Sequence, residues 1–361
     1  MIDPIKLAER WRSILCRDGK FGIDRDPSKS LGYPAENLVR TYFRQWRPIK
    51  DKRNLAFDEK GTRLQNFDVY RDSWFDYPTI IQGKMGGPSW EDYNCLTAIH
   101  VPACTFNCWH CYVTDDSKNP QKMLENGLIE YVTPSNVVDA FLDQKEMNEH
   151  KGDDKIPTNV IRVTGGEPFL EPDLILGILK DLEHRGKSKE IFVWTETNLS
   201  PFLREKESGQ PLLKRWVDLE ELAGFRNLAV HPCLHGICPG NYYSITNCDP
   251  YYFDGILDGL KTLIDYQFDI YTTFGSNVSP PQMIPYIFRQ LREIRENLPQ
   301  RFALIDYELH YPPTRERIAK SLKPEQIFNK VVVMSEWNEL LKRNYGEGYP
   351  SKPRHLVDLR K

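Results

Sequence analysis

From about residue 96 onwards, short runs of apolar and β-branched residues alternate with longer stretches whose apolar residues recur at helical spacing. The short runs are nearly apolar throughout, as expected of strands covered on both faces. They predict strands at residues 96–101, 159–164, 191–197, 227–231, 268–273 and 302–309. The longer stretches each carry one apolar stripe, which is typical of a helix lying on a sheet. The clearest stripe follows Pro172 and consists of Leu174, Ile175, Ile178, Leu179 and Leu182.

Further helices are predicted at 135–150, 253–264 and 284–298, with Ser135 as the N-cap of the first. Alternation of strands and helices indicates parallel βαβ units with helices on the outside. Six such units predict an α/β fold, a partial (β/α)6 barrel of the TIM type rather than an eightfold one.

The two ends of the chain have other patterns. Residues 1–94 are rich in Arg, Lys, Asp and aromatic residues and contain several prolines. We interpret them as an N-terminal extension packed on the barrel, which covers residues 95–312. Residues 313–361 form a C-terminal helical extension, with helical patterning at 324–345.

Composition narrows the class of protein. A hydrophobic fraction of 40% with 12% aromatic residues excludes a disordered chain of 361 residues. No apolar run reaches the ~18 residues of a membrane span, and charges interrupt the N-terminus where a secretory signal would be apolar. A net charge of −3 gives no general attraction to nucleic acid. We therefore expect a soluble, cytoplasmic protein.

The eight cysteines are too few for a disulfide scaffold, and their clustering points to a metal site in a reducing compartment. Cys104, Cys108 and Cys111 form a C-x3-C-x2-C pattern directly after the first predicted strand. Three thiolates can hold a cubane [4Fe–4S] cluster and leave one iron open to another ligand. A structural zinc site would need a fourth protein ligand.

Two further segments follow the next two predicted strands. The sequence VTGGEP contains Gly165 and Gly166, which permit close backbone approach, and Glu167, a carboxylate suited to a cationic amine. The sequence WTETNLS places Thr195, Thr197 and Asn198 at the carboxyl edge of the sheet, where such folds bind ligands. The structural alternatives are an ordinary strand-to-helix turn for the first segment and a helix cap at Ser200 for the second.

In this order and at these strand ends, the three motifs resemble those of the radical S-adenosylmethionine (SAM) superfamily over roughly residues 96–309. The core is similar to that of the pyruvate formate-lyase activating enzyme group. The resemblance implies that the three cysteines hold a [4Fe–4S] cluster whose open iron is chelated by SAM. It also implies that the Gly-Gly-Glu motif holds the methionyl amine, and that Thr197 and Asn198 lie near the ribose and carboxylate.

The activity implied by this resemblance is reductive cleavage of SAM. Flavodoxin or ferredoxin would supply the electron, and a 5′-deoxyadenosyl radical would abstract hydrogen from the substrate. The position before the last cysteine normally holds an aromatic residue that helps to seat adenine, but here it is His110. His110 can stack, yet it can also ligate zinc, so a structural zinc-binding module with three cysteines and His110 is the non-enzyme alternative.

The loop after the fourth predicted strand supplies the candidates for contact with SAM or substrate, namely His231, His235 and Tyr242. Hydrogen-bonded rim histidines are the structural alternative. We interpret Cys233, Cys238 and Cys248 as free or buried thiols rather than ligands of an auxiliary cluster. Glycyl-radical activases tend to have Asp-x-Lys in this loop, whereas this chain has Cys-Leu-His.

The substrate predicted on these grounds is a small molecule or a peptide. An activase that generates a radical on a partner protein is one alternative. A radical SAM enzyme that modifies RNA is another, because residues 42–53 combine basic and aromatic side chains. The near-neutral charge weighs against RNA, and no membrane partner is expected.

Overall fold

The computed structural model describes residues 2–25, 97–149, 159–205, 208–307, 309, 312–321, 326–346 and 357–359. The basic and aromatic stretch at 42–53 and one further cysteine, Cys95, lie outside the described residues.

The described residues form nine strands. In chain order these are β1 (Cys16–Arg17), β2 (Lys20–Asp24), β3 (Thr97–Val101), β4 (Ile129–Val132), β5 (Val160–Gly165), β6 (Phe192–Thr197), β7 (Leu228–Leu234), β8 (Thr272–Gly275) and β9 (Phe302–Ile305). Six of them form a sheet in the order β3-β5-β6-β7-β8-β9. Every neighbouring pair in this sheet is parallel. The predicted partial barrel of six parallel strands is confirmed.

One helix precedes the strands, others lie between them, and two follow the last strand. Those described are α1 (Pro4–Leu15), α2 (Pro120–Glu125), α3 (Pro134–Glu149), α4 (Pro172–His184), α5 (Leu219–Ala223), α6 (Pro239–Thr246), α7 (Tyr252–Asp265), α8 (Ile284–Ile294), α9 (Pro312–Ser321) and α10 (Lys330–Tyr345). Within the described ranges, none combines the length and apolar character needed to cross a bilayer.

The structure corrects three of the predicted boundaries. Ser135 is the second residue of α3 rather than its N-cap. The start of the helix is closed instead by Thr133 and Asn136, each of which accepts a side-chain hydrogen bond from the other's backbone N–H. The fifth strand of the sheet begins at Thr272, because Ile270 forms just an isolated bridge to the neighbouring strand.

The last strand of the barrel is shorter than predicted. It ends at Ile305, because the backbone of Tyr307 turns to bond the side chain of Asn277. The amide nitrogen of Asn277 donates to the Tyr307 carbonyl at 2.7 Å, and the Tyr307 N–H donates to the Asn277 Oδ1 at 3.0 Å.

Alternate positions along the strands lie on opposite faces of the sheet. One face is apolar and joins the core with the helices, for example at Ile161, Val163 and Val193. The opposite face is polar, because Arg162 of β5 pairs with Glu196 of β6 there. This second face is the interior of the barrel.

Both ends of the chain contact the barrel. Strands β1, β2 and β4 form a separate antiparallel sheet. Arg12 of α1 donates to Asp173 of α4 at 2.9 Å and to the Leu170 carbonyl at 2.8 Å. Near the other end, Trp337 of α10 lies 5.2 Å from Phe274 of β8, measured between ring centroids. The domain boundaries at 94 and 312 remain a prediction.

Candidate functional site

The three motif cysteines lie in one loop that begins where β3 ends. Cys108 is buried, whereas Cys104 and Cys111 are half-buried. Backbone bonds hold the loop at two points: the Cys104 N–H donates to the Lys118 carbonyl at 3.2 Å, and the Trp109 N–H donates to the Ile245 carbonyl at 3.3 Å. These backbone hydrogen bonds fix the conformation of the loop.

The glycine pair after β5 lies directly against this loop. The N–H of Gly166 donates to the Val101 carbonyl, and that of Glu167 donates to the Ala103 carbonyl, both at 2.8 Å. A Cβ atom at residue 166 would lie 1.8 Å from the Ala103 oxygen, and one at Gly165 would lie 2.7 Å from the Val101 oxygen. The glycines are therefore required for close packing of the second motif on the cysteine loop.

The carboxyl group of Glu167 is buried and connects the second motif to the third. Its Oε1 accepts from the Thr197 hydroxyl at 2.9 Å and from the Phe169 N–H at 3.0 Å. Its Oε2 accepts from the Asn198 N–H at 2.6 Å. A carboxylate has about four acceptor positions, so the described residues leave one lone pair for a further donor.

The third motif reaches back to the first. The Nδ2 of Asn198 donates to the Sγ of Cys104 at 3.3 Å, while its Oδ1 accepts from the Ser200 N–H. Ser200 is the first residue of a short 3-10 turn at Ser200–Phe202 and not its cap, and its hydroxyl lies 2.5 Å from that of Thr105. Residues from all three motifs form one connected hydrogen-bonded group.

Two thiols of the loop have raised pKa values. Burial, together with the neighbouring thiols, raises the pKa of Cys104 to about 12 and that of Cys108 well above its ordinary value. A bound cation would lower these pKa values, because it stabilises the thiolate.

The spacing of the ligand atoms distinguishes a cluster from a single ion. Among the described residues, the set with ligand atoms all within 4.8 Å of one another is Cys108, His110 and His235, not the three cysteines. Cubane thiolates bind different irons and are farther apart than ligands of one ion. Within the described part of the chain, the three cysteine sulfurs are therefore not spaced as the ligands of one ion.

His110 lies in a group of aromatic rings at the mouth of the barrel. Its ring stacks on Tyr307 at 3.9 Å between centroids and lies nearly parallel to His235 at 5.6 Å. Tyr307 is a site residue that sequence reasoning missed. It follows the last strand without a recognisable motif, although its position after a strand of the barrel was a usable signal.

Helix α9 supplies two more residues that contact the loop and were not among the predicted site residues. The hydroxyl of Thr314 lies 3.2 Å from the His110 carbonyl oxygen and 3.0 Å from that of Cys111, and donates to them. Arg317 donates to the carbonyls of Cys111 and Val113. Nothing in the local sequence of α9 indicates contact with a loop about 200 positions away.

The interior of the barrel below the loop contains a buried ion pair. The Nε of Arg162 donates to Glu196 at 2.9 Å, and the Thr164 hydroxyl donates to the same carboxylate at 2.7 Å. Burial alone would raise the pKa of Glu196, but the charges of Arg162 and His231 and the hydrogen bonds from Thr164 and Arg162 together outweigh it, and the net pKa is lowered. The carboxylate is therefore ionised.

The other predicted residues fall in different places. His231 points into the interior, with its Nε2 3.0 Å from the Thr273 hydroxyl. Thr195 lies on the opposite face of β6 from Glu196, buried away from the interior. Tyr242 is buried behind the cysteine loop, against Phe106 at 5.6 Å between centroids.

Within the described residues, Cys233, Cys238 and Cys248 form no disulfide. The Sγ of Cys233 lies 3.7 Å from the Thr273 hydroxyl at the interior, whereas Cys238 and Cys248 are buried elsewhere. In the described part of the chain, none of the three belongs to a set of ligand atoms within 4.8 Å of one another.

A family comparison agrees with this geometry. Residues 98–283, more than half of the chain, match the model of the Radical SAM superfamily. The chain belongs to this superfamily and is a radical SAM enzyme. Membership implies SAM and an iron–sulfur cluster as cofactors, together with a reductant and a substrate. No curated protein sequence matches the chain significantly.

Solved structures resemble it distantly. SuiB of Streptococcus suis, bound to the precursor peptide SuiA, is 12% identical with a TM-score of 0.43 over 67% of this chain. The chain spans 44% of the length of SuiB. TYW1 with a lysine–pyruvate adduct is 12% identical with a TM-score of 0.39, over 75% of this chain and 82% of TYW1.

A mutant of spore photoproduct lyase with bound AdoMet and dinucleoside spore photoproduct is 11% identical, with a TM-score of 0.38. That similarity covers 68% of this chain and 73% of the lyase. Likenesses at this level indicate neither the reaction nor the substrate.

Proposed function

We propose that this enzyme binds a [4Fe–4S] cluster through Cys104, Cys108 and Cys111 and holds SAM beside it with residues of the second and third motifs. When bound, the reduced cluster supplies the electron that cleaves SAM to methionine and a 5′-deoxyadenosyl radical, which abstracts hydrogen from the substrate. The residues of the chain bind and orient these groups and exclude water from them.

The observation that carries the proposal is the bond between Asn198 and Cys104 together with the Glu167 carboxyl group. Glu167 accepts from Thr197 and from the Asn198 backbone, and the Asn198 side chain donates to the Cys104 sulfur. Asn198 thus connects a cluster ligand, Cys104, to a carboxylate that has one lone pair left by the described residues. This arrangement suits a ligand whose cationic amine and metal-binding atoms are close together, as they are in SAM.

The substrate that we propose is a small molecule or a peptide, bound at the mouth and in the interior of the barrel. The interior offers the ionised Glu196, paired with Arg162, and the imidazole of His231. Tyr307 and His110 offer aromatic faces at the mouth. We assign His231 and His235 to substrate or SAM contact, and Tyr242 to support of the loop from behind. Flavodoxin or ferredoxin is the reductant that we expect.

The test is anaerobic reconstitution with iron and sulfide, followed by SAM and a reductant, with 5′-deoxyadenosine as the measured product. The wild-type protein should become brown and form the product. Cys104→Ala should lose both the cluster and the product, because three cysteines are needed. A colourless protein with one tightly bound zinc would contradict the proposed function.

A second variant tests the role of Glu167. Glu167→Ala should keep the cluster but bind SAM about tenfold or more weakly, because a charge-assisted hydrogen bond is lost. Equilibrium binding of SAM to the reconstituted protein measures this, with the exposed Glu183→Ala as the matched control. Normal binding and cleavage of SAM by Glu167→Ala would show that our interpretation of the second motif is wrong.

A further inference from the structure

Two imidazoles lie beside the central cysteine of the loop. His110 precedes the last cysteine, and His235 follows β7, so the chain brings them together from opposite sides of the barrel mouth. Ligand atoms of Cys108, His110 and His235 all lie within 4.8 Å of one another. This proximity is what binding of a single metal ion requires.

The ring nitrogens at this position lack other partners. His110 is 5% exposed. Its Nε2 and the Nδ1 of His235 are buried and have no hydrogen-bond partner in the described part of the chain. A buried polar atom without a partner costs about 1–3 kcal/mol, so the arrangement is explained better by a ligand than by packing.

The two rings are also held in place. His110 stacks on Tyr307 at 3.9 Å, and the edge of Phe106 meets His235 at 5.9 Å between centroids. Imidazoles held in fixed orientations beside a thiol are common ligands of metal ions.

We propose that Cys108, His110 and His235 form a mononuclear site for a divalent cation of borderline softness, such as Zn²⁺, that excludes the iron–sulfur cluster. One thiolate and two imidazoles suit Zn²⁺ and leave its fourth position for water. That the ion excludes the cluster rests on the proposed function. It follows because Cys108 cannot ligate Zn²⁺ and an iron of the cluster at the same time. Zn²⁺ would thus bind to the cysteine loop when no cluster is present and block cluster assembly.

The surrounding charges permit this site. Lys118 and Arg317 are the cations that act on His110. Asp115 lies 2.7 Å from each of their side chains and offsets one of the two charges. The thiolate of Cys108 contributes a further negative charge when the ion binds.

The experiment uses the full-length protein freed of metal and titrated anaerobically with Co²⁺, followed by displacement with Zn²⁺. We expect one Co²⁺ per chain with a thiolate-to-cobalt charge-transfer band and tetrahedral d–d bands. Cys108→Ala, His110→Ala and His235→Ala should each weaken binding more than about 100-fold, since loss of a ligand exceeds the loss of an outer-shell partner. The exposed His184→Ala is the matched control.

The cluster cysteines outside this set make the test specific. Cys104→Ala and Cys111→Ala should bind Co²⁺ as the wild-type protein does, although they cannot hold a cluster. The Co²⁺ spectra of these two variants also show that a protein lacking one loop cysteine still folds. Wild-type protein preloaded with one Zn²⁺ should take up iron and sulfide at least about tenfold more slowly than metal-free protein.

Three results would overturn the proposal: no Co²⁺ bound by the wild type, equal loss in Cys104→Ala and Cys108→Ala, or normal cluster uptake by the Zn²⁺-loaded protein. Failure of the proposed function is distinguishable. Metal-free wild-type protein would then bind Co²⁺ as expected but form no cluster.

Discussion

The carboxyl group of Glu167 has a raised pKa although three hydrogen bonds favour its ionised form. Burial raises the pKa to about 7, against the bonds from Asn198, Phe169 and Thr197. Desolvation therefore outweighs the three donors in the ligand-free chain. An ammonium group beside Glu167 would stabilise the ionised form, which is what our proposed role for this residue requires.

This shift predicts a pH dependence of stability. Because the folded pKa of about 7 lies above the ordinary 4.5, the folded chain binds the proton more tightly than the unfolded chain. The contribution of the group to stability is therefore complete below about pH 4.5 and is lost as the pH rises through about 7. The loss is on the order of 3 kcal/mol.

Urea unfolding of wild type and Glu167→Gln across this range measures the effect. The free energy of unfolding of the wild type should fall relative to that of the variant as the pH rises. The exposed Glu183→Gln is the control and should run parallel to the wild type. A constant difference between wild type and Glu167→Gln would contradict the assignment.

Gly166 gives a steric prediction at the residue scale. Gly166→Ala should lower the free energy of unfolding by about 2–4 kcal/mol, because its Cβ would meet the Ala103 oxygen at 1.8 Å and neither backbone can move without breaking a hydrogen bond. Urea unfolding and iron content after reconstitution are the measurements, and both should fall. Gly240→Ala, where the Cβ meets nothing within 4 Å, should change neither. Equal effects of the two variants would contradict this explanation.

At the scale of elements, parallel register determines which motifs meet. Val101 pairs with Gly165, and Val163 pairs with Thr195, so β3, β5 and β6 end at one edge of the sheet. This much follows from sequence, because parallel strands present their carboxyl ends together. The face on which Thr195 lies depends on the exact pleat, and the sequence motif did not reveal it.

Helix α9 is the element that holds the cysteine loop from outside. Arg317→Ala should loosen the loop, because the Val113 carbonyl loses the Arg317 donor and the Cys111 carbonyl keeps only the bond from Thr314 among the described residues. We expect the reconstituted cluster to lose iron to a chelator about tenfold faster, an effect typical of outer-shell partners. The measurement is the rate at which the complex of iron with the chelator forms. Arg315→Ala, exposed on the same helix, should lose iron at the wild-type rate; a similar acceleration there would argue against a specific contact.

At the scale of the whole molecule, α10 closes the end of the sheet formed by β8 and β9. The buried ring of Trp337 packs edge-on against Phe274 and Phe288, both at 5.2 Å, and lies 6.0 Å from Phe302. The C-terminal helix is therefore part of the barrel's core.

Trp337→Ala should lower the free energy of unfolding by about 3–5 kcal/mol, because it leaves a cavity among three aromatic rings. Urea unfolding measures this. Val331→Ala, at a position 66% exposed on the same helix, should change stability by less than about 0.5 kcal/mol. If the two variants were equally stable, α10 would be an independent appendage.

The sequence by itself determined the class of fold, the three motifs and their order, because strand periodicity and ligand spacing are local properties of the chain. Tertiary structure decided the rest. Thr314 and Arg317 contact the cysteine loop from about 200 positions away, and no local pattern records such contacts. Tertiary contacts also give the cysteines of the predicted metal site different environments. Cys108 meets two imidazoles, whereas Cys104 meets an amide, because packing brings separate strand ends to one place.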